Sequence, residues 1–213
     1  GVISPLLANV YLHVLDRIWK EQKVQERYGA RLIRYADDFV VLCSGPTEKI
    51  LKGIRIVLAG LRLRLNEEKT RVVDAREESF NFLGYTVQAV KHPRTGKVFA
   101  LIRPSNKAMV RVKAEMKAFT CRKTLWLPTE VVIGKLNELV RGWVGYFYYG
   151  NCSRPLAKIK RFLEERVRIY LRRKHRQARK GYRSVKFLYG DLGLYKIPTT
   201  APWTQTAKAA GRR

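Results

Sequence analysis

The sequence predicts an α+β fold for residues 1–104, followed by a wholly helical region. Two observations carry this. In the first part, apolar residues at helical spacing alternate with short β-branched runs without βαβ regularity; beyond 104 only helical spacing appears. The charge divides at the same place: residues 1–104 hold 18 Lys/Arg against 11 acids, and residues 105–213 hold 26 against 6. A boundary is therefore expected near Pro104-Ser105, with a second near residue 185 before a C-terminal extension, 186–213, that is partly flexible.

Ser4-Pro5 reads as a helix start, with Ser at the N-cap and Pro at the first helical position. Leu7, Val10, Val14 and Ile18 then recur at helical spacing. The stretch RLIRYADDFVVLC (31–43) reads as two strands joined by a tight turn at Ala36-Asp37. After Pro46, Ile50, Leu51, Ile54, Val57, Leu58 and Leu61 form a second stripe ending near Gly60. Leu61, Leu63 and Leu65 alternate like the start of a strand, stopped by Asn66. SFNFLGYTVQAV and KVFALI read as a hairpin across Pro93-Arg94-Thr95-Gly96. Three helices follow. Ala108, Met109, Val112, Met116 and Phe119 line the first. Val132, Leu136, Leu139/Val140, Trp143 and Phe147 line the second. The third, capped by Ser153, carries Leu156, Ile159, Leu163, Val167 and Tyr170. The closing TTAPWTQTAKAAGRR reads as a flexible tail.

The chain has 213 residues, 46% of them hydrophobic, enough for a real core. Lys and Arg total 44 against 17 acids, a formal +27. A folded protein this basic implies a polyanionic partner, and nucleic acid is the one expected. No apolar run reaches the ~20 residues of a membrane span, and no signal peptide is evident. Cys43, Cys121 and Cys152 show no paired spacing and fit small buried side chains in a reducing compartment. His13, His92 and His175 have no metal or triad spacing.

Asp37 and Asp38 pose the chemical question. Two unit charges ~4 Å apart repel by roughly 4 kcal/mol at an effective dielectric of 20. A solvated turn tolerates that, and Asp-Asp alone usually means such a turn. The flanks Leu32-Ile33 and Phe39-Val-Val-Leu42 imply a rigid support instead. A rigid carboxylate pair suits hard cations such as Mg²⁺. Two such ions stabilise both the attacking and the leaving oxygen of a phosphoryl transfer.

Tyr35-Ala-Asp-Asp38 between apolar strands resembles the catalytic turn of reverse transcriptases. GVISPLLANVYL (1–12), LNEEKT (65–70) and FNFLGY (80–85) resemble neighbouring blocks of group II intron reverse transcriptases, in order. KLNELVRGWVGYF (135–147) is similar to their maturase-specific thumb, domain X. The resemblance implies a partial polymerase palm over 1–104 and a thumb over 105–185. It also implies RNA-directed DNA synthesis with a maturase role in splicing. Asp37 would be the principal metal ligand and Asp38 its partner, for two Mg²⁺ ions in the complete enzyme. Gly1, Val2, Ile3, Ser4, Pro5, Tyr35 and Ala36 would line the nucleotide and template pocket. Phe82, Leu83, Gly84 and Tyr85 would form the primer grip; they also read as half-buried strand residues. Lys69 matches a lysine placed to protonate the leaving pyrophosphate, and reads equally as a surface ammonium. The family's other metal-binding aspartate lies upstream of Gly1, so the chain by itself is expected not to polymerise.

Between Arg154 and Arg183 stand 13 basic residues and two acids, more than a solvated face explains. Lys107, Arg111, Arg141, Arg172, Arg173, Lys174 and Arg176 are expected to contact RNA. Tyr146, Tyr148, Tyr149, Tyr170 and Tyr182 are expected to stack on bases, and Trp143 and Phe147 to lie in the core. The implied partners are intron and template RNA, a DNA primer or target, and dNTPs, with no membrane; homodimerisation stays open. The implied location is the bacterial cytoplasm or an organelle. Two other readings stand beside this one: a non-enzymatic RNA-binding splicing factor, and a retron or CRISPR-associated reverse transcriptase. No HNH-type pattern with paired cysteines is read within this stretch, so DNA cleavage is not indicated by it.

Overall fold

Consecutive antiparallel strands and runs of helices occupy separate stretches of the chain, as in an α+β protein. The computed structural model describes residues 3–176 and 184–200. They divide into two compact units, which separate in sequence between Asp74 and Ala75.

The first unit comprises α1 (Ile3–Glu21), α2 (Val24–Tyr28), the hairpin β1 (Ala30–Tyr35) and β2 (Asp38–Cys43), and α3 (Thr47–Gly60). Leu12, Ala30, Ile50, Ile54 and Leu58 form its core, with Trp19, Phe39, Val41 and Leu65 packed around them. The apolar stripe of α3 is buried as its spacing predicts. That of α1 is not: Leu12 and Leu15 are buried, while Leu7 and Val10 stand 61% and 66% exposed. The helix is apolar on more than one face, so periodicity alone could not choose between them. The expected strand at 61–65 is also absent. Arg62 takes a left-handed φ of 56°. Its N–H bonds the Ala59 carbonyl at 2.9 Å, and that of Leu63 bonds the Leu58 carbonyl at 2.8 Å. These two bonds make a Schellman cap, and the leucines belong to a helix terminus.

The second unit begins with a meander of β3 (Phe80–Phe82), β4 (Tyr85–Lys91) and β5 (Val98–Pro104). Lys91 pairs with Val98 across the expected hairpin. Leu83 and Gly84 both have positive φ (47° and 78°), a primed turn that adds β3 to the sheet. Helices α4 (Asn106–Phe119), α5 (Thr129–Phe147) and α6 (Ser153–His175) follow. Ser105 caps α4 by accepting from the Ala108 N–H. Cys152, rather than Ser153, occupies the cap position of α6.

Met109, Val112, Met116, Leu136, Val140, Leu156, Ile159 and Leu163 fill one core between the three helices. Leu188, Leu194 and Ile197 are buried in the same core, so residues 186–200 complete the helical unit instead of extending from it. The expected flexible tail lies mostly in 201–213, outside the described residues. Composition changes at Pro104-Ser105, yet the sheet is joined to the helices beyond it. The Asn151 N–H donates to the Ile102 carbonyl at 2.7 Å, and Asn151 Oδ1 accepts from the Ile102 N–H at 3.2 Å. Gly150 makes this approach possible, since a Cβ there would lie 2.8 Å from the Ile102 carbonyl oxygen. No described helix is long and apolar enough to cross a membrane.

Candidate active site and nucleic-acid interface

Tyr35 pairs with Asp38 at the end of β1–β2, leaving Ala36-Asp37 as a two-residue turn. Phe39 and Val41 face the core and anchor the hairpin, and Asp37 and Asp38 stand exposed at its tip. Ala36 has φ 52°, a conformation that costs a non-glycine residue free energy.

The Arg34 side chain adds a brace to this turn. Arg34, 12% exposed, grips Asp16 on α1. Its Nε lies 3.1 and 3.2 Å from the two carboxylate oxygens, and one terminal nitrogen lies 2.5 Å from Oδ2. Its other terminal nitrogen donates to Asn9 Oδ1 and to the Ala36 carbonyl, both at 2.8 Å. The hydrogen bond to Asp16 raises the Arg34 pKa against the opposing effect of desolvation. Arg34, Asn9 and Asp16 are site residues that sequence reasoning missed. The available signal was two polar residues seven apart on an apolar helix, hence on one face.

Asp37 and Asp38 supply hard oxygen donors on a braced turn, which fits a divalent cation as part of its ligand set. Among the described residues no group of three or more His, Cys, Asp or Glu gathers to complete a site. Tyr35 is 66% exposed beside the aspartates. Ile3, Ser4 and Pro5 occupy the exposed first turn of α1; Gly1 and Val2 lie outside the described residues. Lys69 is exposed on a separate turn closed by Asn66, which accepts from the Lys69 and Thr70 N–H groups. The structure does not bring its ammonium into an ion pair with Asp37 or Asp38.

Phe82, Leu83, Gly84 and Tyr85 form the β3–β4 turn of the second unit, cross-braced to the end of α5. The Tyr85 hydroxyl donates to the Tyr146 carbonyl, and the Tyr146 hydroxyl donates to the Leu83 carbonyl at 2.9 Å. The Tyr85 ring packs on Phe147 with centroids 5.0 Å apart. Burial raises the Tyr85 pKa. A Cβ on Gly84 would meet the Phe147 ring at 3.3 Å.

The basic surface belongs to the same unit. Lys107, Arg111, Arg141, Arg172, Arg173 and Arg176 are exposed. Arg111 pairs with Glu115 at 3.0 Å, and Arg141 lies over the Tyr195 ring at 5.4 Å. Two expectations are corrected. The Lys174 ammonium turns inward to the Leu125 and Leu127 carbonyls at 2.8 and 2.5 Å, so it is engaged by the fold instead of standing free on the surface. Tyr170 is fully buried because it continues the core stripe of α6, and it has no face to offer a base. Tyr146 and Tyr149 are 54% and 66% exposed. The Tyr148 hydroxyl donates to the Thr200 carbonyl, and Tyr182 lies outside the described residues. Trp143 and Phe147 pack in the core as expected.

The structure thus carries a braced, exposed Asp-Asp turn in its first unit and a strongly basic helical surface in its second. Residues 1–87 match the reverse transcriptase (RNA-dependent DNA polymerase) family, and residues 109–188 match the group II intron maturase-specific domain. The chain belongs to the group II intron reverse transcriptase/maturase family. It is 22% identical to an uncharacterised 91 kDa protein in the cob intron of Schizosaccharomyces pombe, over 70% of this chain and 27% of that protein. It is 33% identical to protein YkfC of Escherichia coli, over 40% of this chain and 30% of that protein. The alignments thus span less than a third of either relative.

Proposed function

We propose that the chain is the catalytic-turn and thumb portion of an RNA-directed DNA polymerase that also acts as a maturase on its intron RNA. Reverse transcriptases use divalent metal ions, and Asp37 and Asp38 would hold Mg²⁺ here. When bound, Mg²⁺ supplies charge neutralisation for transfer of a dNTP phosphoryl group to a primer terminus. Arg34 fixes the height and tilt of the turn against α1. The Leu83-Gly84 turn would position the primer strand, and the exposed cations of α4 to α6 would bind template duplex and intron RNA. Lys69 would donate a proton to the leaving pyrophosphate. A protein serving intron RNA would work in the bacterial cytoplasm or an organelle.

The observation that carries this reading is the exposed Asp37-Asp38 pair on a turn clamped by Arg34, since a pure RNA binder has no physical use for a braced dicarboxylate. The test joins the chain to the upstream portion of a family reverse transcriptase. Asp37→Asn should abolish Mg²⁺-dependent cDNA synthesis while leaving RNA affinity within about twofold, because affinity rests on Lys and Arg. Normal primer extension by this variant would reject the metal role.

A further inference from the structure

We infer that Trp126 is a stacking platform for an unpaired base of RNA, an inference that rests on the RNA-binding reading above. The indole stands 79% exposed in the loop between the 3-10 turn Arg122–Thr124 and α5. Leu125 and Leu127 on either side turn inward and pack against the helical core, and this alternation sends Trp126 outward. The backbone around it is held firmly. Lys174 takes the carbonyls of both flanking leucines. The Thr124 hydroxyl donates to the Phe119 and Cys121 carbonyls at 3.0 and 2.9 Å. Arg166 donates to the Thr120 carbonyl at 2.8 Å.

The backbone that carries the ring is therefore already ordered, so engaging a ligand fixes only the two side-chain torsions of the indole. Its surroundings are cationic. Arg122 and Lys123 are exposed within four residues of it. The reach of Lys174 brings the last turn of α6, with exposed Arg172 and Arg173, alongside the loop. Glu130, at the start of α5, is the nearest acid in sequence. A planar aromatic face among cations matches a base with its phosphates, and stacking requires that base to be free of a duplex. A protein partner would more often call for a broad apolar patch.

The experiment uses the whole 213-residue chain, with Trp126→Ala and Trp126→Phe, titrated at ~150 mM salt into a labelled single-stranded RNA and a blunt RNA duplex of the same length. Stacking is worth about 1–3 kcal/mol per base, so single-strand affinity should fall at least about fivefold in Trp126→Ala. Phe should restore most of it. Duplex affinity, thermal midpoint and salt slope should stay unchanged, because the substitution removes neither a cation from the surface nor a side chain from the core. Unchanged single-strand affinity, or an equal loss on both RNAs, overturns the assignment. So does a change in sedimentation between parent and variant, which would give the ring to a protein interface. A parent chain that binds neither RNA would remove the RNA-binding reading itself.

Discussion

Ala36 at φ 52° carries a cost of about 1–2 kcal/mol for a non-glycine residue in the left-handed region. Its carbonyl is held by Arg34, whose guanidinium also spans Asn9 and Asp16. The donors sit in one rigid plane, so position and charge come together. Arg34→Ala strands the Asp16 carboxylate and frees the turn. It should lower stability by about 1–3 kcal/mol, read by urea unfolding, and cut primer extension in the complete polymerase most severely at low Mg²⁺. Arg34→Lys keeps the charge without the fork and should rescue only in part. Stability within about 0.5 kcal/mol of the parent in Arg34→Ala, the range of an ordinary surface substitution, would show that the strands hold the turn unaided.

Helix α6 combines two jobs on one cylinder. Leu156, Ile159, Leu163, Val167 and Tyr170 bury one face completely, while Arg172, Arg173 and Arg176 at its end are exposed. Changing those three arginines to Gln should leave the thermal midpoint nearly intact and flatten the salt dependence of RNA binding. Each single-strand phosphate that an arginine no longer neutralises takes about 0.7 off the slope of log K against log salt. Lys174→Met should do the reverse. It leaves the Leu125 carbonyl without its Lys174 donor and leaves the Leu127 carbonyl the longer bond from the Tyr170 hydroxyl, 3.4 Å, costing about 1–3 kcal/mol, with the slope unchanged. Identical salt slopes for the triple variant and the parent would mark the arginine cluster as merely solvated.

At the scale of the molecule, an alkaline limit follows from buried phenols. Burial, a hydrogen bond to Glu164 and its charge push Tyr189 far above the ordinary tyrosine value, and burial raises Tyr170 and Tyr85 as well. Above about pH 10 the unfolded chain releases these protons and the folded chain keeps them, so stability is intact below that pH and falls above it. Loss of lysine charge over the same range relieves repulsion in a +27 chain and acts in the opposite direction. The comparison with Tyr189→Phe separates the two. Unfolding free energies between about pH 8 and 11 should decline less steeply in Tyr189→Phe, by up to about 1.4 kcal/mol per pH unit. Parallel pH profiles would show that Tyr189 ionises freely in the fold.

What the sequence determined by itself is everything written in short-range pattern. The β1–β2 hairpin with its Asp-Asp tip, the apolar stripes of α3 to α6, the β4–β5 hairpin and the basic excess all follow from neighbours in the chain. Apolar periods of about two and 3.6 residues, together with turn chemistry, suffice to read them. Tertiary structure decided the rest. Arg34 finds Asp16 eighteen residues away, and Lys174 finds Leu125 at a separation of 49. Both interactions are polar and single, so they leave no repeat in the sequence. The inward face of α1, the burial of Tyr170 and the docking of residues 186–200 likewise depended on which surface came to lie opposite. A side chain's local pattern states that it can be buried or charged; only its packing partner decides whether that capacity is spent on the fold or left for RNA.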